Sequence, residues 1–208
     1  MKKIILSAAA VFAFGFASAQ EAEGTGTKGF ANGDVFVTGS VGFSSQTTGD
    51  YKTSTFEIMP QVGIFVTDNI VVGAVIGYSS TTQPVSAFDP NLVDVDQKTS
   101  ALAVGAFGRY YATPASDFSF FGELSFVYVT ATSEIDQAGS EEFKANGFGL
   151  GLRPAVSYFI SNNFALEASI GALEYNTTKP DFEGAESTDN FDLNFNLTDI
   201  RFGLVYKF

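Results

Sequence analysis

Seven charged residues of this sequence fall on one face of the β-strands that its alternating pattern predicts. They comprise the three arginines of the chain and four carboxylates. A guanidinium group can bind a carboxylate through two parallel hydrogen bonds, so this set suits a buried ion network better than it suits catalysis. The candidate network consists of Glu57, Arg109, Glu123, Arg153, Glu167, Asp199 and Arg201.

The order of the strands suggests which of these charges meet. Arg109 and Glu123 come from neighbouring predicted strands, as do Arg153 and Glu167. The interior of an eight-stranded barrel is only wide enough to be filled by side chains. We therefore expect these two pairs to be in contact and to block the interior of such a barrel.

Enzymatic chemistry finds little support in the composition. The chain contains no His, so neither a Ser-His nor an Asp-His arrangement can be built. It contains no Cys either, so no disulfide or lipoprotein anchor is available. No zinc motif, phosphate-binding glycine loop or nucleophile elbow occurs, and we expect no cofactor. The net charge of −12 argues against nucleic acid, whose phosphates it would repel. We expect a protein that is not an enzyme.

Eight runs with a period of two residues predict an all-β fold, an antiparallel up-and-down barrel of eight strands. Ten strands are the alternative. Three joins are short turns, whereas the joins around 45–52, 81–97, 131–144 and 177–193 are predicted as longer loops, as in outer-membrane barrels. The runs lie near Asp34–Ser44, Thr53–Val66, Ile70–Ser80, Lys98–Ala112, Phe118–Thr130, Ala145–Ile160, Phe164–Asn176 and Asn194–Phe208.

The face opposite the charges is apolar and carries no charge in the second, third, fifth, sixth and last runs. A Lys or Arg at the bilayer midplane costs about 2–4 kcal/mol, so this face is suited to lipid. A lesser alternative is a soluble barrel that holds a lipid, in which the apolar face would point inward and the charged face would meet water. Tyrosines at both ends of the runs predict two aromatic girdles: Tyr110, Tyr111, Tyr158 and Tyr206 at one end, and Tyr51, Tyr78, Tyr128 and Tyr175 at the other.

The N-terminus has the pattern of a secretory signal. Lys2 and Lys3 precede an apolar stretch, and the small residues before Gln20 predict cleavage between Ala19 and Gln20. The expected organisation is a signal peptide over 1–19, a periplasmic segment over 20–33 and the barrel over 34–208.

The last eight residues, Arg201 to Phe208, alternate in polarity and end in an aromatic residue. This stretch is similar to the C-terminal assembly signal of the OmpA/OmpX-type small outer-membrane barrels, and the resemblance extends over Asp34–Phe208. It implies a multi-pass barrel of the Gram-negative outer membrane. It also implies that Tyr206 and Phe208 are recognised by the machinery that inserts such barrels.

The predicted long loops are acidic, which favours a solvated rim or a surface that binds divalent cations or a basic ligand. We therefore expect a monomer in outer-membrane lipid, with a closed interior and a role in envelope structure or surface interaction. The alternative function is a narrow channel for small ions or solutes. The acids are Asp89, Asp94, Asp96, Glu134, Asp136, Glu141, Glu142, Asp181, Glu183, Glu186, Asp189 and Asp192.

Overall fold

A computed structural model describes residues 28–49, 51–85, 95–136, 142–170, 172–194 and 200–208. The predicted signal peptide with its Ala19–Gln20 cleavage site lies outside these residues, as do Asp199 and most of the predicted periplasmic segment. In the described part of the chain, no helix is long and apolar enough to cross a membrane.

The described residues form ten antiparallel strands. They are β1 (Val35–Thr48), β2 (Tyr51–Phe65), β3 (Ile70–Pro84), β4 (Asp96–Tyr111), β5 (Phe118–Ile135), β6 (Phe143–Phe159), β7 (Phe164–Ile170), β8 (Ala172–Pro180), β9 (Thr188–Asn194) and β10 (Ile200–Lys207).

Eight of these strands close into a ring. Each strand from β1 to β6 pairs with the next strand in the chain. Strand β7 then pairs with β10, and β10 pairs with β1, which closes the ring. The predicted eight-stranded antiparallel barrel is therefore confirmed. Strands β8 and β9 stand outside the ring: β8 pairs with the first half of β6, and β9 pairs with β8.

The strands run further than the sequence pattern indicates at the end opposite the short turns. The predicted loop over 45–52 is wrong, because β1 continues until Thr48 pairs directly with Tyr51 at the start of β2. Strand β5 likewise reaches Ile135, five residues beyond its predicted end. These extensions are rich in Ser and Thr, which also occur often in loops. Because these residues are polar, the extensions lack the apolar alternation that predicts a strand.

The apolar face points outward, as predicted for contact with lipid. Alternate residues of β5 illustrate it: Phe120, Leu124 and Phe126 are 62%, 58% and 48% exposed, whereas Phe121 and Glu123 between them are buried. The prediction is wrong for one tyrosine of the aromatic girdles. Tyr111 is completely buried inside the barrel, while its neighbour Tyr110 is on the outer surface.

The pairing register along β6 shifts by one residue opposite Pro154. Ala155 of β6 pairs with Ser169 of β7, and Leu152 of β6 pairs with Leu173 of β8. Three residue steps along β6 therefore match four steps from β7 to β8. One extra residue in a strand is the signature of a β-bulge, and proline is tolerated there because it has no N–H to pair. The shift turns even-numbered residues inward in β8, whereas odd-numbered ones face inward in β7.

The seam between the first and last strands is the least paired junction of the ring. Strands β1 and β10 form two residue pairs, Phe36 with Lys207 and Val37 with Tyr206. Strands β4 and β5, by comparison, pair over fifteen. Beyond Val37, no further pairs across the seam occur among the described residues of β1 and β10.

Aromatic rings pack together inside the barrel at the short-turn end. Phe30, which precedes the first strand, is 3% exposed and packs its ring against four others. Its centroid lies 4.7 Å from those of Phe65 and Phe159, 5.4 Å from Tyr111 and 5.5 Å from Phe36. We call these five rings the aromatic floor. Residue 30 fell within the predicted periplasmic segment, so sequence reasoning missed its place in the core.

Two contacts hold the segment before β1 in this position. The Phe30 N–H donates to the carbonyl oxygen of Pro114 at 2.7 Å, and the buried Lys207 Nζ donates to the carbonyl oxygen of Gly29 at 2.7 Å. Gly29 has a φ of 94°, and a Cβ there would lie 2.6 Å from the backbone of Ala115. Only glycine allows this close approach.

Replacing Phe30 with Ala would remove the ring that touches all the others in the aromatic floor. Replacing a buried Phe with Ala costs about 3–5 kcal/mol. We therefore expect the free energy of unfolding of the refolded protein to fall by about this amount, which lowers its urea midpoint. Phe182→Ala, at a site 64% exposed, is the control and should leave it nearly unchanged. Equal midpoints for the two variants would show that Phe30 is not part of the core.

Candidate functional site

Arg109 on β4 is the centre of the charged interior. Its Nε donates to Glu123 Oε2 on β5 at 2.8 Å, and its Nη1 donates to Glu167 Oε1 on β7 at 3.0 Å. Its Nη2 donates to Gln61 Oε1 on β2 at 2.9 Å. Tyr111 joins the group, since its hydroxyl accepts from Arg109 Nη1 and donates to Glu167 Oε1, both at 3.1 Å. Four strands of the ring therefore meet at one guanidinium group.

This network is buried as well as charged. Arg109, Glu123 and Glu167 are 5%, 7% and 8% exposed. Aromatic rings surround the guanidinium, with the centroids of Phe121, Phe107 and Phe36 at 4.8, 5.0 and 5.3 Å from Arg109 Cζ. Burying charges is costly unless the ions are paired and hydrogen-bonded. Here both carboxylates meet the same cation, and the rings supply a cation–π contribution.

Arg153 on β6 forms a second ion pair, and its partner corrects the prediction. It donates through Nη2 to Glu174 on β8, not to Glu167. The register shift opposite Pro154 explains the difference, because it turns Glu174 inward. The two side chains are 25% and 28% exposed, so this pair is more accessible to water than the Arg109 network.

The remaining predicted residues are dispersed. Glu57 lies on β2 but is exposed and outside the network. Asp199 and the side chain of Arg201 fall outside the described part of the structure. Tyr206 lies on the outer face, where its ring centroid is 4.9 Å from that of Phe208 and 5.1 Å from that of Phe164.

Three residues of the site were not predicted as members. Gln61 carries no charge and was not included in the predicted network, and Tyr111 was assigned to a girdle. Tyr111 occupies an odd-numbered position on β4, as Arg109 does. This shared parity was a signal that the side chain of Tyr111 points inward. Glu174 had no such signal, because the extra residue before it reverses the alternation.

Space remains in the barrel beyond the network. A cavity of about 390 Å³, which we call the upper chamber, is lined by Arg153, Glu174 and a mixture of small polar and apolar residues. A second cavity of about 130 Å³ lies deeper and shares Met59, Gln61, Glu123 and Arg153 with the first. Within the described residues, no group of three or more Cys, Asp or Glu side chains is arranged to hold a metal ion.

A closed β-barrel with an apolar exterior and a charged interior defines an integral membrane barrel. The sequence profile of the outer membrane protein beta-barrel domain matches residues 7–208, and the chain belongs to this family. It is a multi-pass protein of the outer membrane, of the Gram-negative type. A comparison with curated proteins finds no match.

Solved structures with a similar fold include three outer-membrane proteins. OprG from Pseudomonas aeruginosa is 15% identical with a TM-score of 0.48, and the match covers 88% of this chain and 99% of that one. For Neisserial surface protein A the values are 14%, 0.45, 84% and 97%. For the N-terminal β-barrel domain of Pseudomonas aeruginosa OprF they are 13%, 0.43, 86% and 100%.

Replacing Arg109 with Ala would leave Glu123 and Glu167 buried without their cation. Removal of one partner from a buried ion pair costs about 3–5 kcal/mol, and we expect the urea midpoint to fall accordingly. Lys144→Ala is the matched control, because its 3.4 Å ion pair with Glu142 is exposed on both sides and such pairs contribute about 0–1 kcal/mol. A midpoint unchanged by Arg109→Ala would contradict a stabilising role for the network.

Proposed function

We propose that this protein is a closed structural barrel of the outer membrane, not an enzyme, which presents an acidic surface to the exterior. The observation that carries the proposal is the Arg109 network, which ties four strands together across the middle of the barrel. Among the described residues, this buried network interrupts the row of hydrated interior side chains that an ion pathway needs.

The aromatic floor supports the same function from the short-turn end. Phe36, Phe65, Tyr111 and Phe159 are at most 1% exposed, and Phe30 is 3% exposed. Ions shed hydration water only at a high cost in free energy. A layer of closely packed rings directly beneath the buried Arg109 network therefore opposes the passage of ions and polar solutes.

The opposite end supplies the surface for interaction. Nine of the twelve acids predicted for this end are described, and all nine are exposed. Most lie on the strand extensions or on the segment 181–187, beyond the apolar band. Their like charges suit divalent cations that bridge protein carboxylates to lipid phosphates. They equally suit a basic ligand at the cell surface.

Assembly belongs to the proposal as well. Tyr206 and Phe208 lie at the end of the strand that completes the ring, with Tyr206 on its lipid face. We propose that the insertion machinery recognises them. The proposed working state is a monomer in outer-membrane lipid, because eight strands suffice to close the ring.

Single-channel recording in a planar lipid bilayer tests the closed interior. We expect the wild-type protein to be silent once insertion is verified by heat-modifiable migration on a gel. The double variant Phe30→Ala/Arg109→Ala, with both barriers weakened, should show openings if it still inserts. Steady openings of the wild-type protein would instead support the narrow channel.

Thermal unfolding tests the acidic surface. In vesicles that contain phosphatidylglycerol, we expect millimolar Ca²⁺ to raise the unfolding midpoint by about 2–4 °C, equivalent to about 1 kcal/mol for a chain of this size. The control is NaCl at the same ionic strength, which screens the acids but cannot bridge them to phosphate. An identical rise in vesicles of phosphatidylcholine alone would contradict bridging to anionic lipid.

A further inference from the structure

We infer that the seam between β1 and β10 is a lateral opening through which a lipid-like molecule with an uncharged polar headgroup enters the barrel from the membrane. The inference begins with the strand pairing. Strands β1 and β10 pair at two positions, and the described part of the structure provides no ladder partner for the rest of the facing edges. Unpaired backbone groups in hydrocarbon cost several kcal/mol each, so this seam needs a polar occupant.

The smaller cavity lies directly behind the seam. Thr38, Gly39 and Ser40 of β1 line one side, and Phe202 and Gly203 of β10 line the other. Its volume of about 130 Å³ accommodates a small headgroup. Because it shares lining residues with the upper chamber, a molecule in the seam also has access to the chamber. The aromatic floor ends the route, so the site holds a ligand and does not release it at the short-turn end.

The inner wall of this cavity is formed by charged side chains. Arg109, Glu123 and Glu167 line it and are buried, and Arg153 is partly accessible. Arginine carries five N–H donors, and the described hydrogen bonds of Arg153 use one of them. Donors remain for a carbonyl or hydroxyl oxygen. Among the described lining residues, both cations already have carboxylate partners, Arg109 in Glu123 and Glu167 and Arg153 in Glu174. This pairing favours a neutral headgroup over an anionic one.

The outer edges of the seam suit an alkyl tail. Phe202, Phe43 and Val41 are 77%, 76% and 73% exposed, more than any other large apolar side chain described on the outer surface. Val41 and Phe43 alternate with small inward-facing residues on β1, and Phe202 stands on the facing strand. A tail between these side chains would remain in the bilayer while the headgroup reached Arg153. A monoacylglycerol has both the size and the chemistry required.

Photocrosslinking in a bilayer tests this assignment. A monoacylglycerol with a diazirine near its headgroup is incorporated into phosphatidylcholine vesicles that hold the refolded protein, and the adducts are mapped by mass spectrometry. We expect adducts concentrated on residues 38–43 and 202–203. An even spread over all lipid-facing strands would overturn the proposal.

Blocking the opening provides the matched comparison. The chain has no cysteine, so Ser40→Cys can be labelled uniquely with a bulky maleimide at the mouth of the cavity. We expect at least a tenfold loss of adducts. The same label on Ser45→Cys, five residues along the strand, should leave them unchanged. No loss with the label on residue 40 would overturn the proposal.

The headgroup is tested separately with a photoreactive fatty acid of equal chain length. We expect the neutral probe to give at least threefold more adducts at the seam. A stronger signal from the carboxylate would contradict the charge argument. Channel recordings are independent of these results, so failure of the closed interior and failure of the lateral site can be told apart.

Discussion

The structure depends on one constraint, which is that hydrocarbon offers no hydrogen-bond partner to a peptide group. A chain that crosses the membrane as strands must therefore satisfy its N–H and C=O groups between neighbours and close into a ring. Closure divides every strand into a face for lipid and a face for the interior. The alternating apolar residues of β5 and β6 and the charges at Arg109 and Glu123 are consequences of that division.

The interior meets a second requirement, since charges placed there lose most of their water. The fold compensates by concentrating hydrogen bonds on one planar cation, with two carboxylates, a phenol and an amide arranged around Arg109. A Lys in its place would offer a point charge with three donors and no planar fork. The choice of arginine therefore reflects geometry as much as charge.

Much of this architecture could be predicted from the sequence, because alternation is a local property. It predicts the strands, the lipid face and the inward position of Arg109, Glu123 and Glu167. It fails where a single residue is inserted: between Ser169 and Leu173 the parity reverses, and Glu174 replaces Glu167 as the partner of Arg153. Phe30 lies before the first strand, so no periodic pattern could place it in the core.

The anchoring of Gly29 by Lys207 joins positions 178 residues apart in the chain. Contacts of such separation form late, because the entropy of closing so long a loop is lost before the contact contributes stability. The segment around Phe30 gains this contact only when the last strand is in position. We therefore expect the base of the barrel to be completed late in folding, so that the interior stays open to water at this end until the last strand has paired.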